Sequence, residues 1–258
     1  MSSDRNEDHL LVLGRRPVRE ALEHTPDRIE KVLLQRQGGG ELTEIRRIAA
    51  QAGVQVQFVP VGRLRQLARG ITHQGAAALM APVAYVVLDD LLASVAPTLE
   101  EVKQRKPRLL VLDGMQDPFN FGAVLRSAVA SGVVGVIVPR SGMAPLNAAA
   151  MKASAGAAGR VPIARPASIV DAIHQLKERG YWVAGADVGG DVSVWEMAWD
   201  RPMAVVIGNE AKGIRPAVLT ACDYRVRIPM TGPAESLNAS VAAGILLFAA
   251  ARMDTSSL

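Results

Sequence analysis

From Arg108 to the C-terminus the chain alternates between short, almost wholly apolar runs and helix-like stretches. LLVLD, GVVGVIVP, RVPIA, YWVAGAD, MAVVIG and YRVRIPM are strand candidates. AVLRSAVAS, PLNAAAMKASAGAA, SIVDAIHQLKERG and SLNASVAAGILLFAAAR separate or follow them with helical patterns. Strands that are apolar on both faces, with helices between them, require a parallel sheet covered on both sides. The fold class is therefore α/β. In open sheets of this kind ligands bind beyond the carboxyl ends of the strands, so function is expected in the loops after Asp113, Ile207 and Met230.

The first 84 residues differ in character. Strand-like RIEKVLLQRQ, VQVQFVP and GAAALMAPVAY alternate with helix-like ELTEIRRIAAQAG and GRLRQLARG. Leu42, Ile45, Ile48 and Ala49 share one helical face, and Gly53 follows as a stop. These features predict a small α/β domain over 1–84, a connecting segment over 85–107 and a second domain over 108–258, a division that suits a chain of 258 residues. Residues 1–83 carry twelve Lys and Arg against nine Asp and Glu, and eleven of those twelve cations are arginine. Arginine forks match phosphate oxygens in pairs. Arg15, Arg16 and Arg19 form one cluster and Arg63, Arg65 and Arg69 a second, so the first domain is expected to bind phosphate. A solvated arginine-rich surface is the competing explanation.

Several function classes are excluded. A G-x-G-x-x-G after a strand, a G-x-x-x-x-G-K-[ST] loop, an H-E-x-x-H helix and a G-x-S-x-G elbow are all missing, which argues against a nicotinamide oxidoreductase, a P-loop enzyme, a zinc hydrolase and a serine hydrolase. With a single cysteine, Cys222, neither an internal disulfide nor a cysteine-based metal site can form, and no metal is expected. The charged N-terminus lacks an apolar signal core, and no apolar run reaches the ~18 residues of a membrane span. A cytoplasmic protein with no membrane partner is expected.

The three strand-end loops carry unusual chemistry. In LDGMQDPFNFGAVLRSA, Asp117-Pro118 fixes a turn, Asn120 is placed to cap the next helix, and Arg126 interrupts a small apolar helix. Gly122, one turn before Arg126, leaves room for a substrate to approach. In VVIGNEAKGIRP, Gly208 and Gly213 bracket Asn209, Glu210 and Lys212, and a glycine at the strand end lets backbone groups approach a planar ligand. In RIPMTGPAESLNASVAAGILLF, Ser236 is a candidate N-cap, with Asn238 and Ser240 in the first turns.

Together these stretches resemble the SPOUT superfamily of trefoil-knotted RNA methyltransferases, in its TrmH-type ribose 2′-O branch. The motifs are Asp117-Pro118-x-Asn120-x-Gly122-x-x-x-Arg126-x-Ala128, then Gly208-x-Glu210-x-x-Gly213, then Ile228-Pro229-Met230 with Ser236-Leu237-Asn238-x-Ser240-Val241-Ala242. The N-terminal domain, with Thr72-His73-Gln74-Gly75 near its end, is similar to the ribosomal-protein-like domain of the bacterial large-subunit rRNA guanosine 2′-O-methyltransferases. The resemblance implies a deep C-terminal trefoil knot, although chains in general avoid knots. It implies S-adenosylmethionine as cofactor, held by Gly208, Ile228 and Leu237, a homodimer packed through the knot, and ribosomal RNA as partner.

The resemblance also assigns catalysis to Arg126, Asn120, Glu210, Ser236 and Asn238. An arginine side chain ordinarily keeps its proton, so Arg126 is expected to orient the ribose or its phosphate and to stabilise developing alkoxide charge. Phe119, Asn209, Lys212 and Ala249 depart from the family pattern and bear on the RNA target. Two other readings are a tRNA ribose methyltransferase and an RNA-binding module without catalysis.

Overall fold

The computed structural model describes residues 10–36, 39–68, 70–81, 83–233 and 235–252. The chain forms two compact units, one of Met1–Ala84 with Pro145–Ala148 and one of Tyr85–Ala144 with Ala149–Leu258.

In the first unit, β1 (Leu10–Leu13), α1 (Arg15–His24), β2 (Ile29–Gln35), α2 (Gly40–Gln51), β3 (Val56–Val59), α3 (Val61–Ala68) and β4 (Ala76–Met80) follow in order. The sheet order is β1-β4-β2-β3, with β4 antiparallel to both neighbours and β3 parallel to β2. Strand alternation, with a register shift between Ile29 and Lys31, sends Ile29, Val32, Leu34, Ala76 and Ala78 to one face, where Val18 and Leu22 of α1 and Leu42, Ile45 and Ala49 of α2 cover them. Leu33, Val59 and Ala77 form the other face under Leu64 of α3. Thr72-His73-Gln74-Gly75 is the turn into β4: Gln74 and Gly75 have positive φ, and His73 Nδ1 accepts the Gly75 N–H. Pro145–Ala148 belong to this unit, with the Leu146 N–H donating to the buried Glu30 carboxylate at 2.9 Å.

The second unit begins with a correction. Residues 85–107, expected as a connector, contain α4 (Leu88–Val95) and α5 (Leu99–Arg105). Leu88, Leu91, Leu92 and Val102 are buried in this unit's core. A Thr98–Glu101 capping box starts α5. The charge run KQRKP disguised a helix whose single apolar row is already enough to bury it.

The remaining elements are β5 (Arg108–Asp113), α6 (Pro118–Ala130), β6 (Gly135–Ile137), α7 (Ala148–Ala153), β7 (Ile163–Ala164), α8 (Ile169–Glu178), β8 (Trp182–Ala186), β9 (Val192–Ser193), β10 (Met203–Gly208), α9 (Pro216–Ala221), β11 (Tyr224–Arg227) and α10 (Ala239–Ala251). Among the described residues the sheet has seven strands in the order β7-β6-β5-β10-β8-β11-β9, and every pairing is parallel. Leu109, Val111, Val183, Ala204 and Val206 face a core shared with α4, α8 and α9. Their alternates Leu110, Leu112, Val205 and Ile207 are also buried, on the face that α6 and α10 cover while packing on each other. Both faces are closed, as the continuous apolar strands require. Among the described residues no helix is long and apolar enough to cross a membrane.

Candidate functional site

The carboxyl ends of β5 and β10 lie side by side, with Gly208 in register with Asp113. Asp113 ends an otherwise apolar strand with its side chain fully buried, and it needs a cation there. Arg215 supplies it: its Nε donates to Oδ1 and its backbone N–H to Oδ2, each at 2.8 Å. This pair ties the loop after β10 to the end of β5. Asn209 adds a second tie. Its Nδ2 donates to Gly114 O at 2.8 Å, and its Oδ1 accepts the N–H groups of Ala211 and Lys212. Asn209, set apart by the sequence as a departure, is thus the organiser of its loop.

That loop aims Glu210 at the start of α6. Glu210 accepts the N–H groups of Gln116 and Asp117 at 3.2 Å and Asn120 Nδ2 at 3.3 Å. Asn238 Nδ2 then donates to Asn120 Oδ1 at 3.2 Å. Asn238 Oδ1 accepts both the N–H and the hydroxyl of Ser240, at 2.8 and 2.6 Å. A hydrogen-bond chain therefore runs Glu210–Asn120–Asn238–Ser240 through all three sequence loops, and it fixes both amide orientations.

Two capping expectations are corrected. Asp117, not Asn120, caps α6 by accepting the Phe119 N–H. Asn238, not Ser236, caps α10. Asn120 is the third residue of its helix, and its side chain is free to serve Glu210.

Burial raises the Glu210 pKa, but the hydrogen bonds from its own N–H, Gln116, Asp117 and Asn120 outweigh it and hold the carboxyl below its ordinary 4.5. The folded value lies below the unfolded one. Its contribution to stability is therefore full above the ordinary glutamate range and is lost as pH falls through the lowered value. Glu210→Gln should remove that acid-side loss. Melting temperatures of the two proteins between about pH 3 and 7 should converge at the acid end; parallel curves would count against the network.

A cavity adjoins the network. Ala186 at the end of β8 with Asp187 and Val188 after it, Val226 of β11 with Ile228 just after that strand, and Ser236 and Leu237 before α10 are among its lining residues. Ile228, Leu237 and Ser236 thus come together. Gly208 does not line this cavity. It is buried, and a Cβ there would lie 2.2 Å from Gly213 C and Ile214 N. The glycine makes room for its own loop rather than for a ligand. Gly122 is similar: a Cβ would meet Ala150 O of α7 at 2.3 Å, so the space read as substrate room is filled by a helix.

Arg126 stands apart. Six residues along α6 is a rise of about 9 Å and roughly a third of a turn from Asn120. Its side chain is exposed, and among the described residues it has no hydrogen bond or ion pair. In the first unit, Arg15 donates to Gln74 O and pairs with Glu41, Arg16 pairs with Glu20, and Arg19 with Glu23. Arg69 lies outside the described residues. Sequence reasoning missed Asp113, Arg215, Gln116 and Asp187. A carboxylate closing the run LLVLD was the available signal for the first pair. Among the described residues no group of His, Cys, Asp and Glu is arranged to hold a metal ion.

Comparison with known families decides what this arrangement belongs to. Residues 107–248 match the model of the SpoU rRNA Methylase family. The chain belongs to that family. The first unit of this SpoU-family protein separately matches a model described as RNA 2′-O ribose methyltransferase substrate binding, over residues 11–86. A Staphylococcus haemolyticus protein, named for the TrmH family of tRNA/rRNA methyltransferases, is 39% identical over 245 residues, 93% of this chain and 94% of its own. The SpoU methyltransferase AviRb from Streptomyces viridochromogenes, solved in complex with AdoMet, has a TM-score of 0.58 and 27% identity, covering 95% of this chain and 90% of AviRb. A TrmH/SpoU tRNA modifying enzyme from A. aeolicus has a TM-score of 0.55 and 27% identity, covering 65% of this chain and 86% of its own. The α/β fold with its parallel sheet is that of the SpoU methyltransferases.

Proposed function

We propose that this SpoU-family protein is an S-adenosylmethionine-dependent RNA methyltransferase that modifies the ribose 2′-oxygen of a guanosine in 23S rRNA. The observation that carries the reading is the hydrogen-bond chain Glu210–Asn120–Asn238 set against a cavity lined by Ile228, Ser236 and Leu237. The cavity suits the cofactor: Val188, Val226, Ile228, Leu237 and Leu246 offer apolar walls to adenine, and Asp187, Glu235 and Ser236 offer polar groups to the rest. When bound, the cofactor supplies a methyl group on a sulfonium, open to in-line displacement. The chain's part is alignment and charge. Asn120 and Asn238, with amides fixed by Glu210, orient the sugar. Ser236, in the cavity lining, offers its hydroxyl to the substrate. Arg126, a guanidinium with no hydrogen bond or ion pair among the described residues, binds the incoming ribose phosphate and stabilises negative charge as the hydroxyl gives its proton to solvent. Gly208 keeps the Glu210 loop in place.

The reading includes a C-terminus threaded as a deep trefoil knot. What supports it is the chain path: β11 lies between β8 and β9, and α10 then returns to pack on α6 and β10. It also includes a homodimer. Trp195 and Phe248, 61% and 52% exposed, flank an apolar groove with Ile245 and Ala249, a surface that a second subunit would cover. Phe248→Asp should shift the sedimentation-equilibrium mass from dimer to monomer; a wild-type monomer would remove this part.

The first unit favours ribosomal over transfer RNA. The A. aeolicus tRNA enzyme matches only 65% of this chain while being 86% covered itself. Arg15, Arg16 and Arg19 would contact phosphate by exchanging exposed carboxylate partners, pairs worth only about 0–1 kcal/mol each. The reading includes a cytoplasmic location, where ribosomal RNA is. Mapping ribose methylation across total RNA of a deletion strain and its complemented parent tests the whole. One 23S guanosine should lose its methyl group. Loss at a tRNA position selects the tRNA reading, and no change leaves an RNA-binding module without catalysis.

A further inference from the structure

One carboxylate of the cavity, Asp187, is held in a way that gives it a more specific role. Asp187 follows β8, lines the cavity and has a side chain 24% exposed. Two arginines of β11 fix the loop that carries it. Arg225 Nε and Nη2 both donate to Asp187 Oδ2, at 2.9 and 2.6 Å. Arg227 Nη1 donates to the carbonyls of Gly190 and Asp191, at 2.7 and 3.0 Å. Gly190 lies directly on the β11 backbone, where a Cβ would be 2.6 Å from Arg225 O. Ile228, the residue after β11, lines the same cavity. Loop and cavity wall therefore form one rigid piece.

This arrangement decides what Asp187 can recognise. Both guanidinium bonds go to Oδ2. Among the described residues Oδ1 accepts only the Gly189 N–H, at a long 3.3 Å. Oδ1 thus keeps acceptor capacity. Arg225 neutralises the carboxylate's charge, which makes the site a weak trap for a cation. A fixed carboxylate in an apolar wall remains a strong acceptor for neutral O–H donors. A vicinal diol on a sugar is such a donor pair, and carboxylates near strand ends of open α/β sheets take ribose hydroxyls in this way.

We propose that Asp187 holds the ribose hydroxyls of S-adenosylmethionine, with Arg225 as its positioning residue. The inference rests on the methyltransferase reading above and adds a cofactor contact to it.

Calorimetric titration of the full chain with S-adenosylhomocysteine and with its 2′-deoxyribose analogue provides the test. Wild type should bind the parent compound about tenfold more tightly, the discrimination expected of a charge-assisted hydrogen bond. Asp187→Ala should bind the two equally. Should that variant fail to fold, Asp187→Asn keeps the shape, and its discrimination should fall below about threefold. Arg225→Met should weaken the parent compound more than the deoxy analogue. A variant at 187 that still discriminates tenfold overturns the assignment, as does a wild type that binds both compounds equally. A wild type that binds neither overturns the methyltransferase reading itself, and so separates the two failures.

Discussion

Arg126→Ala should lower the single-turnover rate of RNA methylation by at least ~10²–10³-fold, the usual cost of removing one preorganised charge stabiliser. The affinity for S-adenosylhomocysteine should stay within about twofold, because Arg126 does not line the cavity. The position is favourable for a clean measurement. The side chain is exposed and makes no hydrogen bond or ion pair among the described residues, so truncation should change stability by no more than about 0.5 kcal/mol. A folded variant retaining a tenth of the wild-type rate would remove Arg126 from the chemistry. It would shift the burden to the Asn120–Asn238 amides.

Gly208→Ala should have the opposite signature and damage the scaffold. The added Cβ would lie 2.2 Å from both Gly213 C and Ile214 N, and backbone atoms cannot rotate away as a flexible side chain can. The loop 209–215 must shift as a body. It carries Glu210, the Asn209 amide bonded to Gly114 O, and Arg215 bonded to the buried Asp113. The expected cost is about 3 kcal/mol, the upper part of the usual range for overpacking. Cofactor affinity should fall with it, by more than about tenfold if only 1.4 kcal/mol of that reaches the cavity. Thermal melting and calorimetric titration on the same preparation check both. A variant that melts and binds like wild type would mean that the close approach is soft.

The two predictions differ because the sequence signals differ in kind. The strands from 108 onward are legible because parallel sheets bury both faces, and that leaves an apolar run with little ambiguity. The loops are legible because chemistry at strand ends stands out against such runs. What failed was inference from one residue's local habit. Asn120 and Ser236 are both good capping residues, yet caps are chosen by geometry, and Asp117 and Asn238 reached the helix N–H groups instead. Gly122 and Gly208 both read as openings for a ligand. Gly122 meets the backbone of Ala150, 28 residues on, and Gly208 meets the returning backbone of its own loop at Gly213 and Ile214; the residue pattern does not report what lies opposite a missing side chain. The helices α4 and α5 were hidden by their charges, because Leu88, Leu91, Leu92 and Val102 make only a narrow stripe. Asp113 was passed over as the end of a strand. Its meaning depends on Arg215, 102 residues later.

The hydrogen-bond chain has a consequence for the timing of biogenesis. Asn120 is 90 residues from Glu210 and 118 from Asn238. A polypeptide emerging from the ribosome from its N-terminus can close β5 against β6 early, because those strands are near neighbours. Asn238, and the helix α10 that it caps, are synthesised 118 residues after Asn120. Until then the nascent protein carries an open hearth with no roof. Competence for catalysis therefore waits on that segment, and a chain truncated before Asn238 loses both the relay and the helix that covers one face of the sheet.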